Sequence, residues 1–559
     1  MPKFTIHRLA LLLLLAVEGC ASPLGDLGKE YGGFTDENLL VGVNDVELQF
    51  PTQTTSPVEV VLQVRSEELL KITPANNPAD WGAAIGINLQ LSDATATALA
   101  MNDAIEYTIQ NNLDVKIATF QPTIAGNTVL ANEAAFDVVL GAGVSTKKSR
   151  IPQQQIVSPL GGALNSSESA VDIFDIDASL SKKLYGGGTV TLSTDITKTS
   201  SDSSGFNFTP DPAWQTVGTL NLTQPLLRNF GEAVTRAQIR LSEIVQGQAA
   251  EDVKDTLQTA VTASQQAYID LELQWKILQV KQWLLEQGEA VVEILNLRRE
   301  YDTVESDYAQ AVATVQQRRA ELISQQAAVQ GASDTLKKLM NTTDYPLESE
   351  DVIQPTGAMQ ALPVSISLRQ AIMTAMEHRP ELRKLAMSID SEYINMEVAN
   401  NAMLPQLDLQ AQMSFYGLGN NTNEGYQEVF SADFINYLAG LTFQVPLGNR
   451  GAEAKYKSAR LQRMSAISSY KRGIQEAILD VKTSLRSIVT NAELMRANRA
   501  FRIAQAENLR ALGVEEETMS GLTPTFLNLK LQTQKGLASA RISEFTSIAN
   551  YNKAIASLY

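Results

Sequence analysis

The side chains that could perform chemistry are few in this 559-residue chain. It has two histidines, His7 and His378, and a single cysteine, Cys20. A zinc site or a Cys/His catalytic centre needs several such side chains together, so this inventory excludes both. No glycine-rich phosphate loop and no GxSxG motif stands between a strand and a helix. A carboxylate-only site stays open among 62 acidic residues, but we expect no enzyme, no catalytic residue, no metal and no cofactor.

The net charge of −17 bears on the partners of the chain. Nucleic-acid binding requires basic patches that neutralise phosphates, so an acidic chain of this kind indicates no nucleic-acid partner. The length and the 44% hydrophobic content are sufficient for a large core or for two to four ordinary domains.

Cys20 follows a segment with the features of an export signal. Two basic residues precede the apolar run Leu9–Val17, which is too short to span a bilayer. The run leads to "VEGC", which resembles the lipobox of a bacterial lipoprotein signal, although Glu18 departs from the usual pattern. We therefore expect residues 1–19 to be a signal peptide and Cys20 to be lipidated. The alternative is an ordinary secretory signal with a chance cysteine.

The remaining chain divides into a proline-containing arm and two internal repeats. Residues 20–96 contain several prolines and are interpreted as a linker-like arm without chemistry. From residue 97 onward, "DAIEYTIQNNLDVKI" (103–117) aligns with "QAIMTAMEHRPELRK" (370–384) at an offset of 267 residues. We predict a first repeat at 97–345, a linker at 346–366 and a second repeat at 367–559, each with a helix, strands and a long helical hairpin.

Alternating strands are the main indication of a membrane. In "LDLQAQMSF" (407–415) the odd positions are apolar and the even positions polar, and "LTFQV" (441–445) is its expected partner. "LYGGGTVTLSTDIT" (184–197) predicts a turn and strand of an extra hairpin, and 150–170, 200–210 and 416–426 are interpreted as exposed loops. Apolar-out, polar-in strands are typical of transmembrane barrels, although a soluble sandwich gives the same alternation. Four to six strands are too few for a pore, so a barrel would need several chains.

Two long proline-free segments predict long helices. No proline occurs between Leu226 and Tyr345 or between Leu447 and Thr523. A seam with alternating steps of four and three residues runs from Leu257 to Leu278 and requires a partner helix. The partners are predicted at about 305–341 and 524–558. A compact helical bundle is the alternative to a tube of packed hairpins.

The breaks between these helices are candidate functional tips. The first, 298–311, contains Asp302, Glu305 and Asp307, and the second, 512–526, contains Gly513 and a run of three glutamates. Acidic residues in a turn usually have no role beyond contact with water. In a ring formed by several chains, they would make an anionic mouth that favours cations.

An ordered set of motifs resembles the TolC-like outer-membrane efflux and secretion channel family. The set comprises "AAFDVVL" (134–140), "AMLPQLDLQ" (402–410) and "VPLGNRGAEAKYKSA" (445–459), and the resemblance covers about 97–559. It implies an α+β membrane protein in which a homotrimer shares one transmembrane β-barrel, with about four strands per chain. A coiled-coil helical tube would continue the barrel through the periplasm. It also implies two partners, a periplasmic adaptor and an inner-membrane transporter.

The resemblance further implies roles for particular residues. Gly521, Leu522 and Thr523 would form the adaptor-docking turn, and Asp307 would lie in the first tip. Acids that some members have after the second tip would correspond to positions near Leu527 and Lys530, which are not acidic, so the constriction cannot be copied from relatives.

Three functions stay open at this point. The first is an outer-membrane channel of a tripartite efflux system for small toxic compounds. The second is the outer-membrane duct of a type I protein secretion system. The third is a secreted coiled-coil scaffold without a pore. The first two imply a location in the bacterial outer membrane, with a lipid anchor and an extension into the periplasm.

Overall fold

The chain divides into two compact units in a computed structural model. The structure describes residues 47–50, 55–75, 86, 89–90, 93–152, 168–202, 209–300, 304–357, 360–361, 363–518 and 523–558. One unit comprises Met1–Phe120, Glu251–Arg383 and Lys471–Tyr559, and we call it the helical unit. The other comprises Gln121–Ala250 and Lys384–Tyr470, and we call it the sheet unit.

The described part of the chain contains both short and very long α-helices. They are α1 Pro57–Leu62, α2 Ser66–Ile72, α3 Met101–Asn111, α4 Leu113–Glu133, α5 Glu232–Thr235, α6 Ala237–Leu297, α7 Glu305–Met340, α8 Leu368–His378, α9 Pro380–Asn401, α10 Thr422–Ser431, α11 Arg450–Thr518 and α12 Pro524–Leu558.

The strands also differ in length, since some form short two-stranded pairs and others are long strands of one sheet. They are β1 Glu47–Phe50, β2 Ala96–Leu99, β3 Val138–Pro152, β4 Glu168–Lys183, β5 Thr189–Asp202, β6 Ala213–Pro225, β7 Val352–Pro355, β8 Val364–Ser367, β9 Gln406–Gly419 and β10 Ile435–Gln444.

The helix starts follow the repeat seen in the sequence. Met101 and Leu368, which begin α3 and α8, are 267 residues apart, and so are Leu113 and Pro380, which begin α4 and α9. Each pair is followed by strands and then by a long helix and its partner. The helical partners α7 and α12 lie within one residue of the predicted 305–341 and 524–558.

The core of the helical unit forms along the seam predicted in α6. Tyr268, Leu271, Trp275 and Leu278 of this seam are each at most 1% exposed and pack with α7. The ring nitrogen of Trp275 donates to the carbonyl of Ile353, 2.9 Å away, and so ties α6 to β7. Full burial of such large side chains contributes about 1.5–3 kcal/mol each, which explains why a 61-residue helix is stable here.

The predicted linker between the repeats contributes two strands to the helical unit. β7 pairs in parallel with β2, and β8 pairs in antiparallel fashion with β1. Ile353 and Val352 of β7 are almost fully buried beside α6 and α7. This segment therefore takes part in two separate two-stranded sheets in addition to joining the repeats.

Part of the predicted arm is also packed. Ser56 and Glu59 form a capping box at the start of α1, and Leu69 of α2 is 3% exposed in a cluster with Ile503 and Leu537. The linker interpretation of 20–96 therefore does not describe 55–75. The prolines suggested an extended segment, but Pro57 lies in the first turn of a helix, where proline is favoured.

The sheet unit is built on one six-stranded antiparallel sheet with the order β10-β9-β6-β5-β4-β3. Apolar residues of neighbouring strands share a face, since Leu140 pairs with Leu180 and Leu409 with Leu441. The resemblance implied about four strands per chain, so that count is wrong by two. The difference is the hairpin of β4 and β5, whose turn and second strand the sequence pattern did predict.

Candidate functional site

The first candidate site is the break between α6 and α7. Asp302 lies outside the described residues, whereas Glu305 and Asp307 lie in the first turn of α7. The unpaired backbone N–H groups give this end of a helix a partial positive charge, so acids there stabilise it by about 0.3–1 kcal/mol each. Both carboxylates therefore have a structural reason to be present, independent of any pore.

Glu305 is also ion-paired. Its two oxygens accept from Nε and Nη2 of Arg299 at 2.9 and 2.6 Å, and the guanidinium of Arg299 lies 4.9 Å from the ring centre of Tyr308. Arg299 was not identified as a partner from the sequence, although it lies only six residues from Glu305 across the break. Of the two tip acids that the structure describes, Glu305 is therefore the one whose charge is balanced by Arg299.

The second candidate site is the break between α11 and α12. Gly521 and Leu522 lie outside the described residues, and Thr523 accepts from the backbone N–H of Phe526 at 3.2 Å. This contact caps the start of α12, where Pro524 is the first helical residue. Gly513 was expected to break α11, but the helix continues through it to Thr518. A single glycine costs only about 1 kcal/mol within a helix, so 69 residues of packed helix tolerate it.

The structure brings the two helix ends together in the helical unit. Leu527 and Leu531 of α12 are buried in one cluster with Val291 and Leu295 of α6 and Ala311 of α7. Leu527 is 1% exposed, so a carboxylate at this position would be desolvated at high cost. This burial explains why the residue is not acidic.

The basic residue Lys530, near the start of α12, is paired with an acid. Nζ of Lys530 lies 2.5 Å from a carboxylate oxygen of Glu516, and both side chains are about one-fifth exposed. The pair connects α12 to the end of α11 across the break. The acidic run at 515–517 is thus partly committed to an internal contact.

A further candidate site is the two-faced sheet of the sheet unit. One face carries apolar side chains that solvent reaches freely, including Leu140 (76% exposed), Leu441 (66%) and Phe443 (62%). Monomeric soluble proteins rarely expose a continuous apolar surface of this kind. The face therefore requires an apolar environment to cover it.

The opposite face of the sheet is polar and contains opposed acids. Asp177 of β4 pairs directly with Asp195 of β5, and Asp175 lies two residues from Asp177 and accepts from Oγ1 of Thr197 at 2.7 Å. Like charges directly opposite on a sheet are destabilising unless water screens them. This face is suited to contact with water.

A short helix that the sequence did not reveal rests on the apolar face. The stretch 416–426 was expected to be a loop, but β9 extends to Gly419 and α10 begins at Thr422. A side chain at Gly417 would overlap the carbonyl oxygen of Gly425, so the glycines permit this close approach. The signal was present, because Asn421 caps α10 by accepting from the N–H of Glu424 at 3.0 Å.

Between α10 and the sheet lies an apolar groove of about 530 Å³. Its walls include Leu192 and Phe415 of the strands and Val429 and Phe430 of α10. Phe430 is 82% exposed, so the outer side of α10 is apolar as well.

The predicted lipidation site Cys20 lies outside the described residues. Within the part of the chain that the structure describes, no helix combines the length and the apolar character needed to cross a membrane. In the same part, no group of histidine, cysteine and acidic side chains is arranged to hold a metal ion.

Comparison with known proteins agrees with the fold described above. The family model "Outer membrane efflux protein" matches residues 371–513. No curated protein matches the chain significantly.

The structure is similar to several solved membrane proteins. The CmeC outer membrane channel of Campylobacter jejuni is 14% identical with a TM-score of 0.59, and the alignment covers 82% of this chain and 84% of that one. A membrane protein from Pseudomonas aeruginosa is 16% identical with a TM-score of 0.58, covering 82% and 92%. The outer membrane protein VceC of Vibrio cholerae is 14% identical with a TM-score of 0.56, covering 82% and 94%. Residues 371–513 are therefore similar to the outer membrane efflux protein family, and the chain shares the fold of the solved outer-membrane channels, in agreement with the resemblance of its motifs to TolC-like channels.

Proposed function

We propose that the chain is the outer-membrane channel of a bacterial tripartite efflux system. Three copies would share one barrel, and the channel would passively conduct small toxic compounds across the periplasm and the outer membrane. The chain would lose residues 1–19 on export and carry an acyl anchor at Cys20. No covalent chemistry takes place in this proposal.

The observation that carries the proposal is the sheet with one apolar and one polar face. Its strands are 10–16 residues long, which is sufficient to cross a bilayer when tilted. The exposed apolar face would contact lipid, and the polar face with its opposed Asp177 and Asp195 would line water. The match of residues 371–513 to the efflux family supports the same reading.

The helix ends support the proposed partners. Both breaks belong to one end of the helical unit, where Leu295, Ala311 and Leu527 share a cluster. An adaptor that binds the turn at Gly521, Leu522 and Thr523 would therefore contact the first break as well. The inner-membrane transporter would act through this adaptor.

The experiment that tests the proposal combines mass and conductance. The purified full chain in detergent is expected to have the mass of three protomers and to conduct ions in a planar bilayer. A species that is monomeric and does not conduct in either orientation would refute the channel and favour the scaffold. Transport of a fluorescent dye by cells that express the chain with a cognate pump would separate efflux from protein secretion.

The tip acids make a second expectation measurable. The channel is expected to prefer cations, because Asp302, Glu305 and Asp307 of three chains would surround the mouth. Replacement of Asp302 and Asp307 by Asn should shift the reversal potential in a salt gradient toward zero. Glu305→Gln should change the charge at the mouth by the same amount as one Asp→Asn replacement, because it leaves the guanidinium of Arg299 without its carboxylate partner. An unchanged reversal potential in the variant with both aspartates replaced would contradict the anionic mouth.

A further inference from the structure

The hairpin of β4 and β5 is an integral part of the sheet. β4 pairs with β3 over 15 residue pairs, from Val138 with Lys182 to Pro152 with Glu168, without a break in register. β5 continues the sheet by pairing with β6 from Thr189 to Thr199. The hairpin thus lies between β3 and β6, and within the described residues β4 is the strand that pairs with β3.

The turn of this hairpin is attached to the junction between β6 and α5. The carbonyl of Gly186 accepts from the N–H of Gly231 at 3.3 Å and from the side chain of Gln224 at 3.0 Å. Tyr185 packs against Phe136 with ring centres 4.9 Å apart. Gly187 has φ of +92°, a conformation that L side chains rarely adopt. These contacts fix the hairpin at the end of the sheet where the chain continues into helices.

The connections of the sheet are asymmetric in length. The turn from β4 to β5 spans only 184–188, whereas the opposite connections span 153–167 and 203–212. Short turns at one end and longer loops at the other are a feature of outer-membrane barrels. The hairpin follows this rule, with its short turn on the side of the helices.

The hairpin also continues both faces of the sheet. Leu180 lies between its partners Leu140 and Leu192, and all three are at least 44% exposed on the apolar face. Asp177 and Ser179 alternate with these residues on the polar face. A strand pair with this pattern is suited to a position between lipid and water like the other four strands.

The two edges of the sheet are compatible with each other. Six antiparallel strands leave β3 and β10 as edges that run in opposite directions. The β10 edge of one copy can therefore pair with the β3 edge of a second copy and preserve the antiparallel order. Three copies closed in this way leave no edge, which is the condition for a strand structure in lipid.

We propose that a trimer of this chain closes one barrel of eighteen strands, where the resemblance implied four strands per chain and hence twelve. This inference rests on the proposed trimeric channel. Barrel diameter grows roughly in proportion to strand number, and barrels of 16–18 strands leave an aqueous channel. The added hairpin would also bring Asp175, Asp177 and Asp195 of each chain to the lumen, which favours cationic cargo over anionic cargo.

The two strand numbers predict different distances in the trimer. Strands about 4.8 Å apart and tilted by about 40° give a backbone diameter of about 36 Å for eighteen strands and about 24 Å for twelve. Equivalent residues of three chains are then about 31 Å or about 21 Å apart. A difference of this size is well resolved by pulsed dipolar spectroscopy of nitroxide labels.

The experiment uses the full chain, because Cys20 is its only cysteine. In a Cys20→Ala background, Leu220→Cys and Asn221→Cys are labelled separately and the distances between protomers are measured in detergent. The two residues are adjacent on β6 and face opposite sides of the sheet, so the mean of their distances cancels the reach of the label. The matched control lacks residues 168–202, which leaves β3, β6, β9 and β10.

A mean of about 31 Å is expected for the full chain, with about 21 Å for the control if it assembles. A mean of about 21 Å in the full chain overturns the eighteen-stranded barrel and leaves the trimeric channel intact. A monomer without any dipolar signal between protomers overturns the proposed function itself. If the control fails to fold, the distance in the full chain still decides between the two barrels.

Discussion

A buried ion cluster between α11 and α12 permits a quantitative test of how these helices are held together. A carboxylate oxygen of Glu544 lies 2.7 Å from Nε of Arg502 and 2.5 Å from a guanidinium nitrogen of Arg541. The three side chains are 6%, 8% and 12% exposed. Burial lowers the pKa of Arg541, and the guanidinium of this residue also stacks 4.1 Å from the ring centre of Phe545.

Replacement of Glu544 by Gln removes the negative charge and keeps the shape of the side chain. Two guanidinium groups then stay buried beside a neutral amide, and breaking such a buried pair typically costs about 3–5 kcal/mol. Because the amide oxygen of Gln can still accept from Arg541, we expect the lower end, about 3 kcal/mol. This corresponds to roughly a hundredfold faster local opening.

Hydrogen exchange measured by mass spectrometry resolves this local opening in the intact protein. Peptides around residues 499–506 and 541–548 of Glu544→Gln should exchange about a hundred times faster than those of the wild type. The control is Glu493→Gln, which breaks the pair of Glu493 with Arg496 on the same helix. That pair is 65% and 35% exposed and contributes at most about 0.5 kcal/mol. Equal protection loss in the two variants would refute the view that the cluster is desolvated.

Two other perturbations test local features of the units. Burial raises the pKa of Glu272 to about 7, and the nearby charge of Lys276 offsets only part of this rise. Between the ordinary pKa of a glutamate and pH 7, the folded protein therefore keeps a proton on Glu272 that the unfolded chain has released. Stability should therefore fall as pH rises from about 4.5 to about 7. Between pH 5 and 8, Glu272→Gln should reduce this fall in unfolding temperature, whereas the exposed control Glu286→Gln should leave it unchanged. Parallel curves of unfolding temperature against pH for the two variants would contradict the assignment. Gly417→Ala should detach α10, because its Cβ would overlap the carbonyl oxygen of Gly425, and exchange in 422–431 should rise at least tenfold. Gly440→Ala, which meets no atom within 4 Å, should leave that exchange unchanged, and a similar rise in both would exclude the steric explanation.

The long helices could be predicted closely because their signals are local. A proline-free segment and a seam of apolar residues are both visible in sequence, and the structure begins α7 at Glu305 and α12 at Pro524 as expected. The seam residue Ser264 shows how far this reasoning extends. Its position predicted burial, and the structure adds its hydrogen bond with the hydroxyl of Thr108, 2.9 Å away. That partner lies 156 residues distant and has no local signature.

The helix α10 shows the opposite case. Its segment is rich in asparagine and glycine, which favour turns, and the loop prediction followed from that composition. In the structure Gly417 and Gly425 instead allow a helix to approach a strand closely, a tertiary cause that composition cannot express. Only the local cap of Asn421 on Glu424 indicated a helix start.

The strand number shows why neighbours are harder to predict than elements. The pattern of "LYGGGTVTLSTDIT" predicted a turn and a strand, but alternation is identical whether such a hairpin lies in the sheet or beyond its edge. The position of the hairpin depends on which strands pair with each other, and some of these partners are far apart in sequence. Gly218 of β6, for example, pairs with Phe415 of β9 about two hundred residues later. In the sheet, β6 lies between β5 and β9, and β4 and β5 lie between β3 and β6. The hairpin then enlarges the sheet from within, and any closed assembly of these chains must be wider by two strands for every copy it contains.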